Sequence, residues 1–205
     1  TIMSKTIFPT LTLALISTFA YCSAKSFDFK DPKGVNNIIF QMDAPLESIN
    51  GSADGISGMV YFDPQKPEKT TGSILLNASS LHVGNKLLKE HMLGKDWMNV
   101  SKYPTVKFNL SKLTDIKRQG IDLIAVAEGK MTIRNVTTHM LIPVKLTYLK
   151  DMLVKRNRVP GDLLVLRAKF VVKRDDFNIQ KGKNLEKVAN EIEISLNLAG
   201  ASPDS

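Results

Sequence analysis

Cysteine is almost missing from this chain: Cys22 is the only one in 205 residues. A single cysteine forms no internal disulfide and offers none of the paired thiolates that hold structural zinc or an iron–sulfur cluster. Histidine is scarce too, with His82, His91 and His139 alone, and no two stand at the i, i+4 spacing of a helical metal site. No G-x-S-x-G elbow, phosphate loop or Gly-rich dinucleotide fingerprint occurs. Asp175-Asp176 come nearest to a carboxylate pair, but adjacent strand residues point to opposite faces, so turn chemistry explains them better. No residue is therefore assigned a catalytic role, and no metal site is expected.

Long apolar runs are also lacking. The one candidate, residues 7–20, is too short for a comfortable transmembrane helix. It follows Met3 and Lys5, and it precedes Cys22 and Ala24 at the −3 and −1 positions of a cut before Lys25. That layout is a secretory signal peptide, so residues 1–24 are expected to be removed and residues 25–205 to form one exported domain. Bulky Tyr21 is a poor neighbour for lipidation of Cys22, which favours ordinary cleavage. An exported domain without cysteine depends on a well-closed core. The formal charge of +8 is spread along strands and turns rather than gathered in a block. A solvated exterior is the simpler reading, and no nucleic-acid partner is expected.

What the chain does contain is alternation. Ile38, Phe40 and Met42 share a face, as do Ile56, Gly58, Val60 and Phe62, and then Ile74, Leu76 and Ala78. After an interruption come Val106, Phe108 and Leu110; a KRQG turn at 117–120; and a long run from Ile121 through Leu123, Ala125, Ala127, Gly129 and Met131 to Ile133. Met140, Ile142, Val144, Leu146 and Tyr148 follow, then Leu164, Leu166, Ala168, Phe170 and Val172, and finally Ile192, Ile194, Leu196 and Leu198. Period-two patterning of this kind marks about eight half-buried antiparallel strands, and no helical period separates them. The class is all-β. Both a sandwich and a closed up-and-down barrel satisfy it. Gly58, Ala78, Ala125, Ala127, Gly129 and Ala168 all fall on the inward parity. Small residues there either leave room for a dry cavity or face large partners and fill normally.

The interruption, residues 84–108, carries Trp97 and His91. Its spacing predicts a short helix over 86–93, with Leu88 one turn from Met92 and Leu87 one turn from His91. Gly94 is expected to end it in a left-handed conformation, and Asp96 to cap the turn that carries Trp97 and Met98. The segment reads as a closure over one barrel end, either a lid at an entrance or a plug.

Several blocks resemble the YceI-like family: FDP at 62–64, SSLHVGN at 79–85, KEHMLGKDWMNVSKYPTVKF at 89–108, GKMTIRNVTTHMLIPVKL at 129–146 and FVVKRDDFNI at 170–179. They occur in order across essentially the whole of residues 25–205. The resemblance implies a lipocalin-like antiparallel β-barrel of about eight strands with a short helical insert, exported to the periplasm. It also implies a ligand rather than a cofactor: a long polyisoprenoid, such as a polyprenyl chain or an isoprenoid quinone, held in the barrel interior. The expected lining is Phe40, Phe108, Leu110, Ala125, Met140, Ile142, Val144, Leu166, Ala168, Phe170 and Ile194, with His91 and Trp97 at the entrance. Asn135, Val83 and Asp43 depart from residues usual in the family, which bears on headgroup contacts more than on the fold. Three alternatives stay open beside lipid binding: an enzyme using His91 as acid or base, transient membrane contact through the basic exterior, and a homodimer.

Overall fold

The computed structural model describes residues 24–204; the expected signal segment up to residue 23, with Cys22, lies outside them. Alternation becomes eleven strands: β1 (Lys25–Asp28), β2 (Asn37–Asp43), β3 (Ser48–Ala53), β4 (Ile56–Phe62), β5 (Thr71–Asn77), β6 (His82–Val83), β7 (Thr105–Gln119), β8 (Asp122–Ile133), β9 (Val136–Leu149), β10 (Gly161–Lys173) and β11 (Glu191–Pro203). Two short α-helices, α1 (Lys86–Leu93) and α2 (Leu153–Asn157), and three 3-10 turns complete the regular structure of the described residues.

The ladder runs β1-β4-β5-β7-β8-β9-β10-β11 and returns to β1 through the pairing of Asp28 with Ala201. All pairings are antiparallel, and the sheet closes as an eight-stranded barrel. β2 continues the line of β1 along β11, with Asn37 opposite Asn197 and Gln41 opposite Glu193. β3 likewise prolongs β4, and β6 prolongs β5, so three staves are each broken into two pieces. The break between β3 and β4 is pinned where Asn77 N donates to Gly55 O (2.8 Å) and Gly55 N donates to Ser80 Oγ (3.0 Å).

β1, β3 and β6 give little sequence signal. β1 and β6 are four and two residues long, and β3, SINGSA, buries only Ile49 and Ala53. β7 runs well past Leu110 because register shifts between Leu110 and Lys112 and between Thr114 and Lys117 break the alternation while the ladder continues. The reversal before β8 therefore falls at Gly120–Ile121 rather than over 117–120, and Ile121 is 74% exposed instead of inward. Ala78, read as a strand residue, is buried at the start of a 3-10 turn (Ala78–Ser80). Between β8 and β9 the chain turns at Arg134 (φ 49°) and Asn135 (φ 62°). A tight hairpin with two positive φ values tolerates Asn where glycine is usual.

One end of the barrel is shut. The Phe27, Phe62 and Tyr148 rings meet at 6.1–6.4 Å between centroids, and α2 holds Leu153 out of solvent beside Gly161. Lys25 and Tyr148 both donate to the buried Asp162 carboxylate. Its burial favours the neutral form, but these donors and the Asp151 N–H outweigh that and hold its pKa below the ordinary value. At the other end β2, β3, β6, β10 and the start of β11 extend beyond β7, and α1 occupies the gap.

Candidate functional site

The barrel interior is not filled. An inner chamber of about 110 Å³ lies at mid-height and an outer one of about 370 Å³ lies toward the α1 end. Both are bordered by Ile38, Leu76, Val106, Met131 and Phe170, so they adjoin as one elongated space. Ser73 is the only polar residue bordering the inner chamber. Polar groups gather on the outer one: Glu47, His91, Arg174, Asn184 and Lys187. An apolar interior with polar atoms confined to one end suits a hydrocarbon chain with a more polar terminus.

The pleat accounts for the lining. β9 contributes Ile142 and Val144 and β10 contributes Leu166, Ala168 and Phe170, every second residue turned inward. Phe108 and Leu110 come from β7. Phe40 and Ile194 face each other across the β2–β11 ladder and line the outer chamber. Of the residues expected from the sequence, Ala125 and Met140 alone stand apart from both chambers. Ala125 is buried opposite Val144, and Met140 is half-buried opposite Gly129.

The small inward residues divide in the same way. Ala127 and Ala168 border the inner chamber. Gly129 leaves no room, since a Cβ there would meet the Phe108 ring at 2.6 Å and Asn109 O at 2.2 Å. Gly58 is required by its backbone, with φ +126° and Ser73 O only 2.1 Å from where a Cβ would lie.

α1 forms where predicted. Asn85 Oδ1 accepts from Leu88 N at 2.9 Å, an N-cap. Leu88 and Met92 pack on Phe40, Met42, Ile49 and Val83, while Leu87 turns outward at 61% exposure. His91 is exposed, borders the outer chamber and makes no side-chain hydrogen bond among the described residues. Two local expectations are corrected. Gly94 is extended (φ −70°, ψ 174°) rather than left-handed; the left-handed residue is Asn99 (φ 47°). The turn holding Trp97 is closed by Gly94 O, which accepts from Trp97 N and Asn99 N, and not by the Asp96 side chain.

Arg174 escaped the sequence reading. It follows Phe170 and Val172 on the inward parity, and a cation at an inward position was the available signal. Only 2% exposed, it donates to the carbonyls of Ala189, Ile179, Gln180, Lys183 and Val188. That gathers the 178–190 loop over the chamber opposite α1. Its guanidinium lies 5.4 Å from the Trp97 ring centre, and burial pushes its pKa down against the opposing charge of Asp175. The two sides of the mouth also join through Gln180 Nε2, which donates to Asp96 O at 2.8 Å. Asp175 and Asp176 lie in a 3-10 turn (Arg174–Phe177), as turn chemistry implied. Among the described residues no three His, Cys, Asp or Glu side chains cluster as metal ligands.

Comparison with known proteins agrees with this architecture. A 26% identical relative, a UPF0312 protein of Yersinia pestis, aligns over 152 residues, 73% of this chain and 72% of its own. The crystal structure of Burkholderia cenocepacia BcnA superposes with a TM-score of 0.65 at 22% identity, covering 80% of this chain and 95% of that one. A polyisoprenoid-binding domain from Saccharophagus degradans superposes with a TM-score of 0.63 at 11% identity, covering 88% and 99%. The model of the YceI-like domain matches residues 32–199, and the chain belongs to that family.

Proposed function

We propose that this protein is a non-catalytic carrier or store for a long isoprenoid lipid, a polyprenyl chain or an isoprenoid quinone, held in the barrel. The observation that carries the reading is the inner chamber, which Ser73 alone among polar residues borders and which adjoins the outer chamber toward α1. Burial of each five-carbon unit contributes about 4 kcal/mol before ordering costs, so a chain of several units is held without any specific polar contact. Polar side chains on the outer chamber suit a headgroup near the mouth, between α1 and the 178–190 loop. The relative from Saccharophagus degradans, described as polyisoprenoid-binding, supports the ligand class. The signal-like segment of residues 1–24 supports export, and a periplasmic location completes the proposal.

The test is to purify the protein, record native mass spectra and extract whatever is bound. Wild-type protein should carry a prenyl lipid that Ala168→Phe, which fills the inner chamber, excludes while the barrel stays folded. A folded Ala168→Phe variant that still carried the lipid would rule out the interior site.

A further inference from the structure

A second concavity lies outside the barrel, against the wall of the outer chamber. It is a cleft of about 530 Å³ lined by polar and charged residues, among them Lys95, Lys102, Arg134, Lys181 and Lys183, with Asp96 as the one carboxylate. Three separated segments bring these cations together: the turn after α1, the β8–β9 hairpin and the 178–190 loop. In each segment the residue next door lines the outer chamber instead. Trp97 follows Asp96, Ile133 precedes Arg134, and Ile179 sits between Asn178 and Gln180. The cleft and the lipid chamber therefore share one wall.

Five cations lining one cleft with a single carboxylate leave it, among the described residues, with an excess of positive charge. Arg134 sharpens the point. Its Nε is buried without a hydrogen-bond partner among the described residues, and its guanidinium is 5.8 Å from the Tyr103 ring centre, with one long contact of 3.5 Å to Asn178 O. Four lining residues, Asn99, Arg134, Asn178 and Gln180, also have positive φ, a conformation that costs energy and gathers at functional sites.

We infer that this cleft binds a multiply charged oxyanion of the phosphate or diphosphate class, with Arg134 and Lys183 supplying charge-assisted hydrogen bonds from opposite sides. Arginine suits such a group because its planar fork meets two oxygens at once. The anion is either free or the headgroup of a lipid whose tail enters the adjoining chamber. The inference does not depend on the barrel being filled with lipid.

Calorimetric titration at low salt with inorganic diphosphate, farnesyl diphosphate and farnesol separates these sources. Wild-type protein should bind at least one of the two diphosphates, and 150 mM salt should weaken that binding. Arg134→Gln and Lys183→Gln, on different segments and each checked for fold by circular dichroism, should weaken it at least about tenfold and leave farnesol binding unchanged. Inorganic diphosphate binding that survives Ala168→Phe marks a free-anion site. Farnesyl diphosphate binding alone, stronger than that of farnesol, marks a headgroup site. Diphosphate binding with neither prenyl compound bound would sink the barrel proposal and leave the cleft standing. The cleft proposal is overturned if neither diphosphate binds, if farnesyl diphosphate binds no better than farnesol in the absence of inorganic diphosphate binding, or if both folded charge variants bind as wild type does.

Discussion

Arg174 occupies a position where the barrel's own pattern calls for an aliphatic side chain. Its donors instead satisfy five backbone carbonyls of the 178–190 region, groups that would otherwise be left unpaired near the apolar chamber. Replacing it with Met preserves bulk and removes every donor. Arg174→Met should lower stability by about 3 kcal/mol or more, since hydrogen bonds to a charged group are worth about 1.5–3 kcal/mol each and losses within one network do not add. Urea unfolding checks this, and limited proteolysis should move its first cut into residues 178–190. Two alanines make a second comparison at this scale. Ala125→Phe meets packed surroundings and should cost about 1–3 kcal/mol from overpacking, with lipid binding changed only as far as the fold is. Ala168→Phe borders empty space and should cost less than Ala125→Phe while excluding ligand. Thermal melts on the pair read the difference directly.

At the level of the element, α1 is a helix of only eight residues, too short to persist by itself in water. Leu88 and Met92 anchor it to the barrel mouth, and Asn85 satisfies one of its free N–H groups. Asn85→Ala should weaken this closure by about 1 kcal/mol. Amide exchange over residues 86–93 should accelerate about fivefold, with the protection of β8 and β9 unchanged; uniform acceleration across the barrel would mean α1 opens only with global unfolding. The β8–β9 hairpin depends on positive φ at Arg134 and Asn135. There Asn135→Gly should be tolerated within about 0.5 kcal/mol, whereas Asn135→Val should cost about 1–2 kcal/mol. Chemical denaturation of the two variants gives the comparison.

Across the whole molecule, two buried carboxylates tie distant parts of the chain together. Asp31 accepts from Arg156 at 2.9 and 3.0 Å and from the backbone N–H groups of Lys33, Val35 and Asn36, joining the loop after β1 to α2. The Arg156 guanidinium, with those N–H groups, holds its carboxyl far below the ordinary value despite burial. Asp162 at the shut end is lowered as well, its donors prevailing over burial. A carboxylate whose pKa is lower when folded stabilises the fold above its unfolded pKa, and that contribution disappears as the pH falls through the folded value. Stability should thus hold from neutral pH down to about 4 and decline progressively below it. Asp31→Asn should destabilise the protein at pH 7, and the gap to wild type should narrow as pH falls below 4. Urea midpoints measured from pH 7 to pH 2 test this, and a constant gap would remove the electrostatic explanation.

Period two determines which face a strand residue takes, and the inward runs on β8, β9, β10 and β11 follow from the sequence alone. So does α1, through Leu88 and Met92 one turn apart, because that signal is local. Which inward residue borders empty space is not local. Ala125 and Ala168 share the inward parity and stand opposite Val144 from its two neighbouring strands, yet one packs in the core and the other borders a chamber. Gly129 shows the same limit, since the Phe108 ring that covers it comes from the neighbouring strand. β1, β3 and β6 have too few apolar residues to announce themselves and exist because neighbouring strands offer them pairing. Arg174 and the basic cleft depend on segments up to about 90 residues apart that only the closed sheet brings together. Sequence determined the long strands and the short helix α1. Tertiary structure decided where the barrel is hollow and where its charges converge, because volume and electrostatic potential are sums over neighbours that alternation does not identify.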